Sequence, residues 1–403
     1  GATVTVTTGA AALRATDIGK MISVYAGIIE LTKFTSASSM DGVIRSVLTE
    51  STASDPSAAP AGAWSLQEAS WNATNGWPST GDFFQGRIYA ASTDAEPITF
   101  WGSASDNFNN FAIGSSEEDA VNFAMASRKV NRIEWIAENN KVLALGTTGA
   151  ELEATGSGND NALISGTNLP FIDRAGNNGV APIQPDQTSS RQVLYVDRSR
   201  RKIFGLGYDA EAGGNTPKEL TLGAEHITES RVKLGPLAYQ ARLDPRLYIT
   251  REDGQLVGLT HFPEQKVTGA TRRTTQGTYQ SAAVIPSPDG TSDQVWVIVT
   301  RTIDGVERKF IEMFEPNHEG LTGRAWPALQ TDCAVVISGL TGTSVSVAHL
   351  SGMVVDVVKN GVSLGEQQLV GPTLTLQEEL VETDVLEVGL HYDSTAVSME
   401  PSS

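Results

Sequence analysis

Three adjacent acidic residues, Glu117, Glu118 and Asp119, are the first candidates for chemistry in this chain. Two carboxyl groups that flank a glycosidic bond can act as acid and base or nucleophile in glycoside hydrolysis. Here the acidic residues lie in a Gly- and Ser-containing stretch, where carboxylates are normally solvated. We therefore interpret them as surface residues.

One short motif has the residue types of a sugar-processing turn. Ser287-Pro288-Asp289-Gly290, with Trp296 downstream, superficially resembles the Asp-box of sialidases, Ser-x-Asp-x-Gly-x-x-Trp. In this chain the Gly directly follows the Asp, the Trp lies too far downstream, and the motif occurs once. An ordinary Pro-Asp-Gly turn uses the same residues, and we favour that interpretation.

The histidines do not have the spacing of a metal site. His226, His261, His318, His349 and His391 are scattered, without the i, i+4 or His-x-His pattern of metal ligands. His226 could be a metal ligand, but we favour the interpretation that it is a hydrogen-bonded packing residue. The sequence therefore predicts no metal site.

The sequence also offers few residues for sulfur chemistry and no motif for phosphate binding. Cys333 is the single cysteine, which excludes an intramolecular disulfide, and its apolar neighbours predict a buried, inert thiol. The sequence has no Gly-x-Ser-x-Gly elbow and no phosphate-binding loop. We predict no catalytic residue and no cofactor, and we do not expect an enzyme.

Two basic clusters are candidates for contacts with nucleic acid: Arg198–Lys202 (RSRRK) and Arg272-Arg273. The first lies in a hairpin turn, so an exposed turn explains it, with an acidic neighbouring subunit or a DNA phosphate as the alternative. The formal net charge of the chain is −18, which repels nucleic acid from most of its surface. Two short basic turns in such a chain do not predict a DNA-binding face.

Three tryptophans near the first of the hairpins described below, Trp64, Trp71 and Trp77, could stack on sugar rings. Packing between neighbouring sheets is the interpretation that we favour, because large aromatic side chains dominate core energetics. Sugar stacking is kept as the basis of an alternative function.

A repeated hairpin organises the middle of the chain. Arg246–Phe262 has apolar residues at a period of two on both sides of Asp253-Gly254, which predicts two strands and a positive-φ turn. Similar hairpins are predicted at Gly86–Gly102, Lys141–Ala154, Gln192–Tyr208 and Gln294–Phe314. Successive copies are 54, 51, 54 and 48 residues apart, counted from Arg87, Lys141, Gln192, Arg246 and Gln294. Strand repeats of about 50 residues are typical of β-propeller blades.

The chain of 403 residues is longer than a single core usually holds. We predict an all-β protein with three parts: an N-terminal β module and linker (residues 1–63), a β-propeller-like core of five or six blades (residues 64–325) and a C-terminal β-sandwich or barrel (residues 326–403). Within the last part, Lys359-Asn360-Gly361 predicts a tight hairpin turn. No apolar run approaches the length of a membrane span, and the start of the chain lacks both a signal peptide and an initiator Met, so we expect that it begins inside a longer product.

The order of several short motifs resembles that of a known family. The motifs are Gly76-Trp77-Pro78, Phe84–Arg87, Trp101-Gly102-Ser103, Asn110-Phe111, Ala224-Glu225-His226, Asp253-Gly254, Glu264–Val267, Trp296 with Arg301 and Glu312, His349–Gly352 and Val388–Tyr392. Together they make the chain similar to the tail tubular protein B, or tail nozzle, proteins of short-tailed bacteriophages. The resemblance is distributed over nearly the whole chain and rests on order and spacing.

The resemblance implies a structural protein of the virion, assembled in the host cytoplasm. Such a protein forms a homo-hexameric ring or tube below the portal and its adaptor, next to tail fibres or spikes. Genomic DNA passes through it during ejection without sequence-specific binding. The alternative function is a tail-associated glycan-binding module or glycan hydrolase on a propeller scaffold.

Overall fold

The structure is a computed structural model. It describes residues 1–24, 27–46, 48, 59, 63–67, 70–111, 113, 116–125, 132–156, 164–165, 170–188, 190–242, 245–265, 267–315 and 329–395. The chain divides into two compact units, Gly1–Val180 and Ala181–Ser403. Regular structure in the described residues consists of antiparallel strands and short 3-10 turns, which confirms the predicted all-β class.

A five-stranded antiparallel sheet forms the N-terminal part of the first unit. Its strands are β1 (Thr3–Thr7), β2 (Met21–Val24), β3 (Gly27–Ser36), β4 (Ser39–Ser46) and β5 (Trp64–Gln67), in the order β1-β4-β3-β2-β5. Apolar residues on one face of this sheet are buried, among them Ile22, Leu31 and Met40. The sequence also predicts a turn at Ala26-Gly27 between the second and third strands. Ala26 and most of the predicted linker lie outside the described residues.

Two four-stranded antiparallel sheets follow in the same unit. The first contains β6 (Thr80–Phe84), β7 (Arg87–Ala91), β8 (Thr99–Gly102) and β9 (Val121–Ala124). The second contains β10 (Ile133–Asn139), β11 (Val142–Thr147), β12 (Glu151–Gly156) and β13 (Pro170–Gly176). In both sheets the strands pair in sequence order, and one apolar core joins the two sheets.

The second unit begins with three sheets of the same kind. The first contains β14 (Asp186–Gln187), β15 (Val193–Val196), β16 (Ile203–Asp209) and β17 (Gly214–Glu219). The second contains β18 (Ala238–Gln240), β19 (Arg246–Thr250), β20 (Leu256–Phe262) and β21 (Val267–Arg273). The third contains β22 (Thr278–Pro286), β23 (Asp293–Ile303) and β24 (Val306–Met313). Strands again pair in sequence order.

The five predicted hairpins are confirmed as strand pairs. They are β7–β8, β11–β12, β15–β16, β19–β20 and β23–β24, and each lies in a different sheet. A small antiparallel sheet whose strands pair in sequence order is the structure of a propeller blade, so this part of the chain is β-propeller-like. The number of blades stays a prediction.

Aspartates link consecutive sheets within each unit. The Asp82 carboxylate accepts the main-chain N–H of Glu138 at 3.1 Å, and the Asp186 carboxylate accepts that of Tyr239 at 2.7 Å. The Asp293 carboxylate accepts the N–H groups of Ala241 (2.8 Å) and Arg242 (2.7 Å). These bonds satisfy main-chain donors at positions where one sheet meets the next.

Two local predictions are refined by the structure. Asp253-Gly254 lies in a five-residue connection in which Gly254 alone has positive φ (80°), because Arg251–Gly254 form a turn closed by Gly254 N–H to Arg251 C=O at 3.1 Å. The predicted positive φ is therefore confirmed at Gly254, whereas Asp253 is not among the positive-φ residues. The sequence of Glu219–Leu234 also predicts one short helix, around Ala224–Ser230. The structure has a 3-10 turn there, Glu225–Thr228, and similar turns occur at Ala15–Asp17, Pro263–Gln265 and Ala348–Leu350.

The C-terminal part has its own sheets and core. One sheet has the strand order β25-β30-β27-β28, with β25 at Asp332–Ser338, β30 at Val385–Leu390, β27 at Val354–Lys359 and β28 at Val362–Gln368. The second sheet is the pair of β26 (Gly342–Ser346) and β29 (Thr373–Leu380). Apolar side chains from both sheets share one core, which Ile303 of β23 also joins. The sequence predicts six strands in this part: Val335–Ile337, Val345–Ala348, Met353–Val358, Val362–Leu364, Thr373–Leu376 and Val385–Leu390. Each of them overlaps a strand of the structure, whereas Trp326, where the part was predicted to begin, lies outside the described residues. Among the described residues, no helix is both long and apolar enough to cross a membrane.

Candidate functional site

The acidic stretch at residues 117–119 is held in place through its main-chain carbonyl oxygens. Arg87 is fully buried, and its guanidinium donates to the carbonyl oxygens of Ser103 (2.5 Å), Asp119 (2.6 Å) and Glu117 (2.5 Å). The Glu117 and Glu118 residues are exposed, and the Asp119 carboxylate accepts the N–H of Ser116 at 2.8 Å. The stretch belongs to a loop whose carbonyl oxygens accept hydrogen bonds from Arg87, and its carboxylates are not arranged as a catalytic pair.

Asp289 has the contacts of a turn residue. Its carboxylate accepts hydrogen bonds from the Ser287 hydroxyl (2.5 Å) and from the Thr291 N–H (3.1 Å) and hydroxyl (2.9 Å), and Gly290 has a positive φ of 70°. The Ser287 hydrogen bond, followed by those from Thr291, lowers the pKa of Asp289. The Trp296 indole instead donates to Gln294 at 3.3 Å. The motif is therefore a Pro-Asp-Gly turn.

The three tryptophans occupy different environments. Trp64 lies in β5 and packs against the core of the N-terminal sheet, whereas Trp77 is 68% exposed. Trp71 makes edge-to-face contacts with Trp101 (5.7 Å between ring centroids) and Phe111 (4.6 Å). Trp71 thus packs as favoured from the sequence, and the ring contacts among the described residues do not join the three into one stacking surface.

The basic turn at Arg198–Lys202 connects β15 to β16. The Asp197 carboxylate accepts the N–H groups of Arg201 and Lys202, which shapes the turn. Arg200 pairs with Glu252 at 2.7 Å and Lys202 with Glu219 at 2.9 Å, whereas Arg198 and Arg201 are exposed. Acidic residues of the same unit therefore neutralise half of the cluster, which agrees with an exposed hairpin turn.

Arg273, in the second basic cluster, lies over aromatic rings. Its guanidinium carbon is 4.8 Å from the Phe314 ring centroid and 5.9 Å from that of Tyr248. This cation–π geometry stabilises a partly desolvated cation. Arg272 beside it is exposed.

The histidines have distinct roles. His226 is exposed in the 3-10 turn, which contradicts the packing role favoured from the sequence. His261 is 6% exposed, its ring contacts Thr268 (3.0 Å) and Gln192 (2.9 Å), and burial lowers its pKa. His349 Nε2 lies 3.1 Å from the Cys333 carbonyl oxygen, and His318 lies outside the described residues.

His391 lies close to the carboxylates of Asp356 and Asp393. Its Nδ1 is 2.7 Å from Asp356 and its Nε2 is 3.3 Å from Asp393. The hydrogen bonds to Asp356 and Asp393 raise its pKa. Glu366 completes a group in which one ligand-type atom each of Asp356, Glu366 and His391 lies within 4.8 Å of the others. Sequence spacing missed this group because Asp356 and Glu366 lie on different strands, β27 and β28, and His391 follows a third, β30.

The most elaborate polar network surrounds Arg301, which is 1% exposed. Its guanidinium makes two 2.8 Å hydrogen bonds with the Glu312 carboxylate, lies 3.3 Å from Asp332, and donates to the Thr275 hydroxyl at 2.6 Å. Thr275 in turn donates to Asp332. Burial alone lowers the pKa of Arg301, but the Glu312 hydrogen bonds and the charges of Asp332 and Glu312 raise it overall. The network joins the sheet β22–β24 to the C-terminal part.

Cys333 lies next to this network and is partly buried, with a positive φ of 50°. Burial, followed by the negative charge of Glu312, raises the pKa of its thiol to about 12. A thiol with such a pKa is a poor nucleophile near neutral pH because thiolate is the reactive form. The raised pKa agrees with the predicted inert thiol, whereas the side chain is only partly buried and the predicted full burial is wrong.

A cleft of about 810 Å³ opens beside the Arg301 network. Aromatic side chains line it together with charged ones, including Tyr279, Phe314 and Tyr392 on the aromatic side and Arg273 and Glu312 on the charged side. The Glu312 and Asp332 side chains in the lining supply oxygen atoms that can accept hydrogen bonds. The cleft can therefore bind a polar ligand that has apolar faces.

Comparisons with known proteins assign no family. No family model and no curated protein matches the chain. Solved structures with similarity include an exo-β-1,3-galactanase from Phanerochaete chrysosporium with β-1,3-galactotriose: TM-score 0.30, 9% identity, covering 78% of this chain and 91% of that one. A protein from Lactobacillus plantarum aligns with TM-score 0.35 and 10% identity over 92% of this chain and 99% of that one. A mutant of AofleA from Arthrobotrys oligospora aligns with TM-score 0.31 and 11% identity, covering 78% of this chain and 90% of that one. Similarity at this level assigns no activity.

Proposed function

We propose that the chain is a structural protein of a short phage tail, the tail nozzle, which assembles as a hexameric channel for DNA ejection. The proposal starts from the order of the sequence motifs that resemble the tail tubular protein B family. Portal, adaptor and fibre or spike proteins are its proposed neighbours in the virion.

The observation that carries the proposal is that motif residues contact one another. Arg301 and Glu312, which belong to one motif, form the two-fold hydrogen bond of the buried network. Arg87 and Ser103, from two successive motifs, are joined by a guanidinium–carbonyl bond of 2.5 Å. In these two cases motif residues connect neighbouring strands of a sheet, which supports a structural role for them.

The polar groups that suggested chemistry support a scaffold as well. Arg87 donates to carbonyl oxygens of a loop, Asp289 caps a turn, and Arg301 joins two parts of one unit. The hydrogen bonds of all three groups named here are to other groups of the protein, which stabilises the fold and leaves the groups poorly placed to act on a substrate.

Imaging tests this function directly. Electron cryo-microscopy of the virion that carries this chain should show its sheets in six copies around the tail axis, below the portal and adaptor. Native mass spectrometry of the purified protein should show a species of six times 42.7 kDa, alone or after addition of the adaptor protein. A virion map in which the tail density fits a different chain would overturn the proposal.

A glycan-binding role is the second candidate, and the cleft beside Arg301 is the observation that favours it. Sugars are bound by aromatic faces together with charged hydrogen-bonding groups, and this cleft has Tyr279, Phe314 and Tyr392 beside Glu312 and Arg273. A glycan array would detect binding, and a reducing-sugar assay would detect hydrolysis. Loss of an array signal in Tyr392→Ala would locate the binding in this cleft.

A further inference from the structure

Three potential metal ligands lie on one face of the C-terminal sheet. In the register, Asp356 of β27 is opposite Glu366 of β28 on one side and Gly389 of β30 on the other. His391 follows Gly389 by two residues, and residues two apart along a strand face the same side. Asp356 and Glu366 therefore face the same side of the sheet from two adjacent strands, and His391, the residue directly after β30, comes close to them.

The pairing of Asp356 with Glu366 is electrostatically unfavourable without a cation. Two carboxylates directly opposite each other on neighbouring strands repel and destabilise the sheet. Among the described residues, the ion pairs of Asp356 are with His391 alone, and no Lys or Arg forms an ion pair with Glu366. The register therefore places the negative charges of Asp356 and Glu366 next to each other, and the His391 imidazole offsets them only in part.

The ligand-type atoms of these residues are close enough for a small cation. They lie within 4.8 Å of one another, with 2.7 Å between His391 Nδ1 and the Asp356 carboxylate. A metal at about 2.0–2.2 Å from each ligand requires ligand atoms closer together than 4.8 Å. Glu366 and His391 are exposed, so rotation of their side chains brings the atoms into range without moving the strands.

We propose that Asp356, Glu366 and His391 bind a divalent transition-metal cation, for which Zn²⁺ is the natural probe. One imidazole nitrogen and two carboxylate oxygens form a ligand set that Zn²⁺ accepts, with solvent or Asp393 in a fourth position. His391 then binds as the neutral imidazole, and its hydrogen bond to Asp356 is exchanged for metal coordination. The cation neutralises the Asp356–Glu366 repulsion and ties β27, β28 and β30 together.

Isothermal titration of the full chain with ZnCl₂ at pH 7.5 tests the site. We expect one site per chain whose affinity falls by about tenfold or more in Glu366→Gln, because a charged ligand is lost. Glu378→Gln on β29 is the matched control: it removes one exposed carboxylate elsewhere in the same part of the chain and should leave the affinity unchanged.

Glu366→Gln separates the metal site from a simple ion pair. Glu366 is not one of the two acidic residues in ion pairs with His391, so this substitution leaves the His391–Asp356 pair in place. Zn²⁺ should also raise the melting temperature of the wild type more than that of Glu366→Gln, and His391→Gln should lose the increase as well. Absence of binding, or equal affinity in wild type and Glu366→Gln, overturns the proposal.

Discussion

Arg301 shows how one buried cation determines the contacts of several residues. Its guanidinium is almost completely inaccessible and is shared by Glu312, Asp332 and Thr275. The two carboxylates come from different strands, β24 and β25, so the cation links the last of the propeller-like sheets to the C-terminal sheet within one unit. Loss of this charge leaves two partly buried carboxylates facing each other.

Arg301→Met should therefore destabilise the protein strongly. Breaking a buried ion pair by removing one partner costs about 3–5 kcal/mol. Urea unfolding followed by circular dichroism measures the change in the free energy of unfolding. Arg308→Met is the matched control: Arg308 is the register partner of Arg301 on β24 but is exposed, so a change within about 0.5 kcal/mol is expected. Equal effects of the two substitutions would contradict this role.

His261 should make stability depend on pH. Burial lowers its pKa below the ordinary value of 6.5, and its ring contacts, Gln192 and Thr268, carry no charge that could stabilise the imidazolium. In the unfolded chain the imidazole therefore binds a proton at higher pH than in the folded chain. Stability falls as the pH decreases below about 6.5, because the unfolded state then binds more protons.

The measurement is the free energy of unfolding of wild type and His261→Gln between pH 7.5 and pH 5. The difference between the two proteins should change across this range, with the wild type losing more stability toward low pH. His226→Gln is the control, since His226 is exposed and should show a parallel pH profile. Parallel profiles for His261→Gln as well would show that His261 does not titrate differently on folding.

At the scale of elements, turn residues decide how strands are connected. Asn360 and Gly361 have φ values of 51° and 81°, so the β27–β28 connection is a two-residue turn with both residues left-handed, as its Asn-Gly sequence predicts. The Asn360 side chain also donates to Asp384 (2.8 Å) and accepts the N–H of Val385 (2.9 Å). The turn thus orients β27 and β28 and contacts the start of β30.

Gly361→Val should destabilise the C-terminal part. A left-handed conformation costs about 1–2 kcal/mol for a residue with a Cβ atom, and a β-branched side chain resists it further. The change in unfolding free energy should be at least this large. Gln367→Val introduces the same side chain into extended β28 and should have a much smaller effect. A free energy of unfolding unchanged by Gly361→Val would contradict the assigned turn.

At the scale of the whole molecule, charge is the property that bears on the proposed channel. Asp and Glu (47) exceed Lys and Arg (29), which leaves enough acidic side chains to line a channel wall. At physiological ionic strength the Debye length is about 8 Å, so such a wall repels DNA only near contact. DNA could then slide through a wide channel without adhering to it.

We therefore expect the isolated protein to bind duplex DNA no better than non-specific binders, with a Kd of about 1 µM or weaker. Fluorescence anisotropy at increasing salt concentration measures both the affinity and its salt dependence. Submicromolar binding that weakens steeply with salt would mean that Lys and Arg neutralise several phosphates, which contradicts a repelling wall. Arg198 and Arg201, the exposed cations of the basic turn, would then be the first residues to replace.

The sequence by itself determined the elements whose information is local. The period of two in the five hairpins and the Asn-Gly turn predicted strands and connections that the structure confirms, because alternation and turn chemistry act between residues close in the chain. The turn at Ser287–Gly290 was predicted in the same way, from residues that contact one another within a few positions.

Only the tertiary structure decided which distant polar groups meet. Asp332 reaches Arg301 from 31 residues away, a separation for which no local pattern exists. The Asp356–Glu366 pair depends on a register shift between Val357 and Val358: without it, a two-residue turn at Asn360-Gly361 would place Asp356 opposite Gly365. A bulge displaces every later pair by one residue, so the facing carboxylates follow from the folded sheet and not from their spacing.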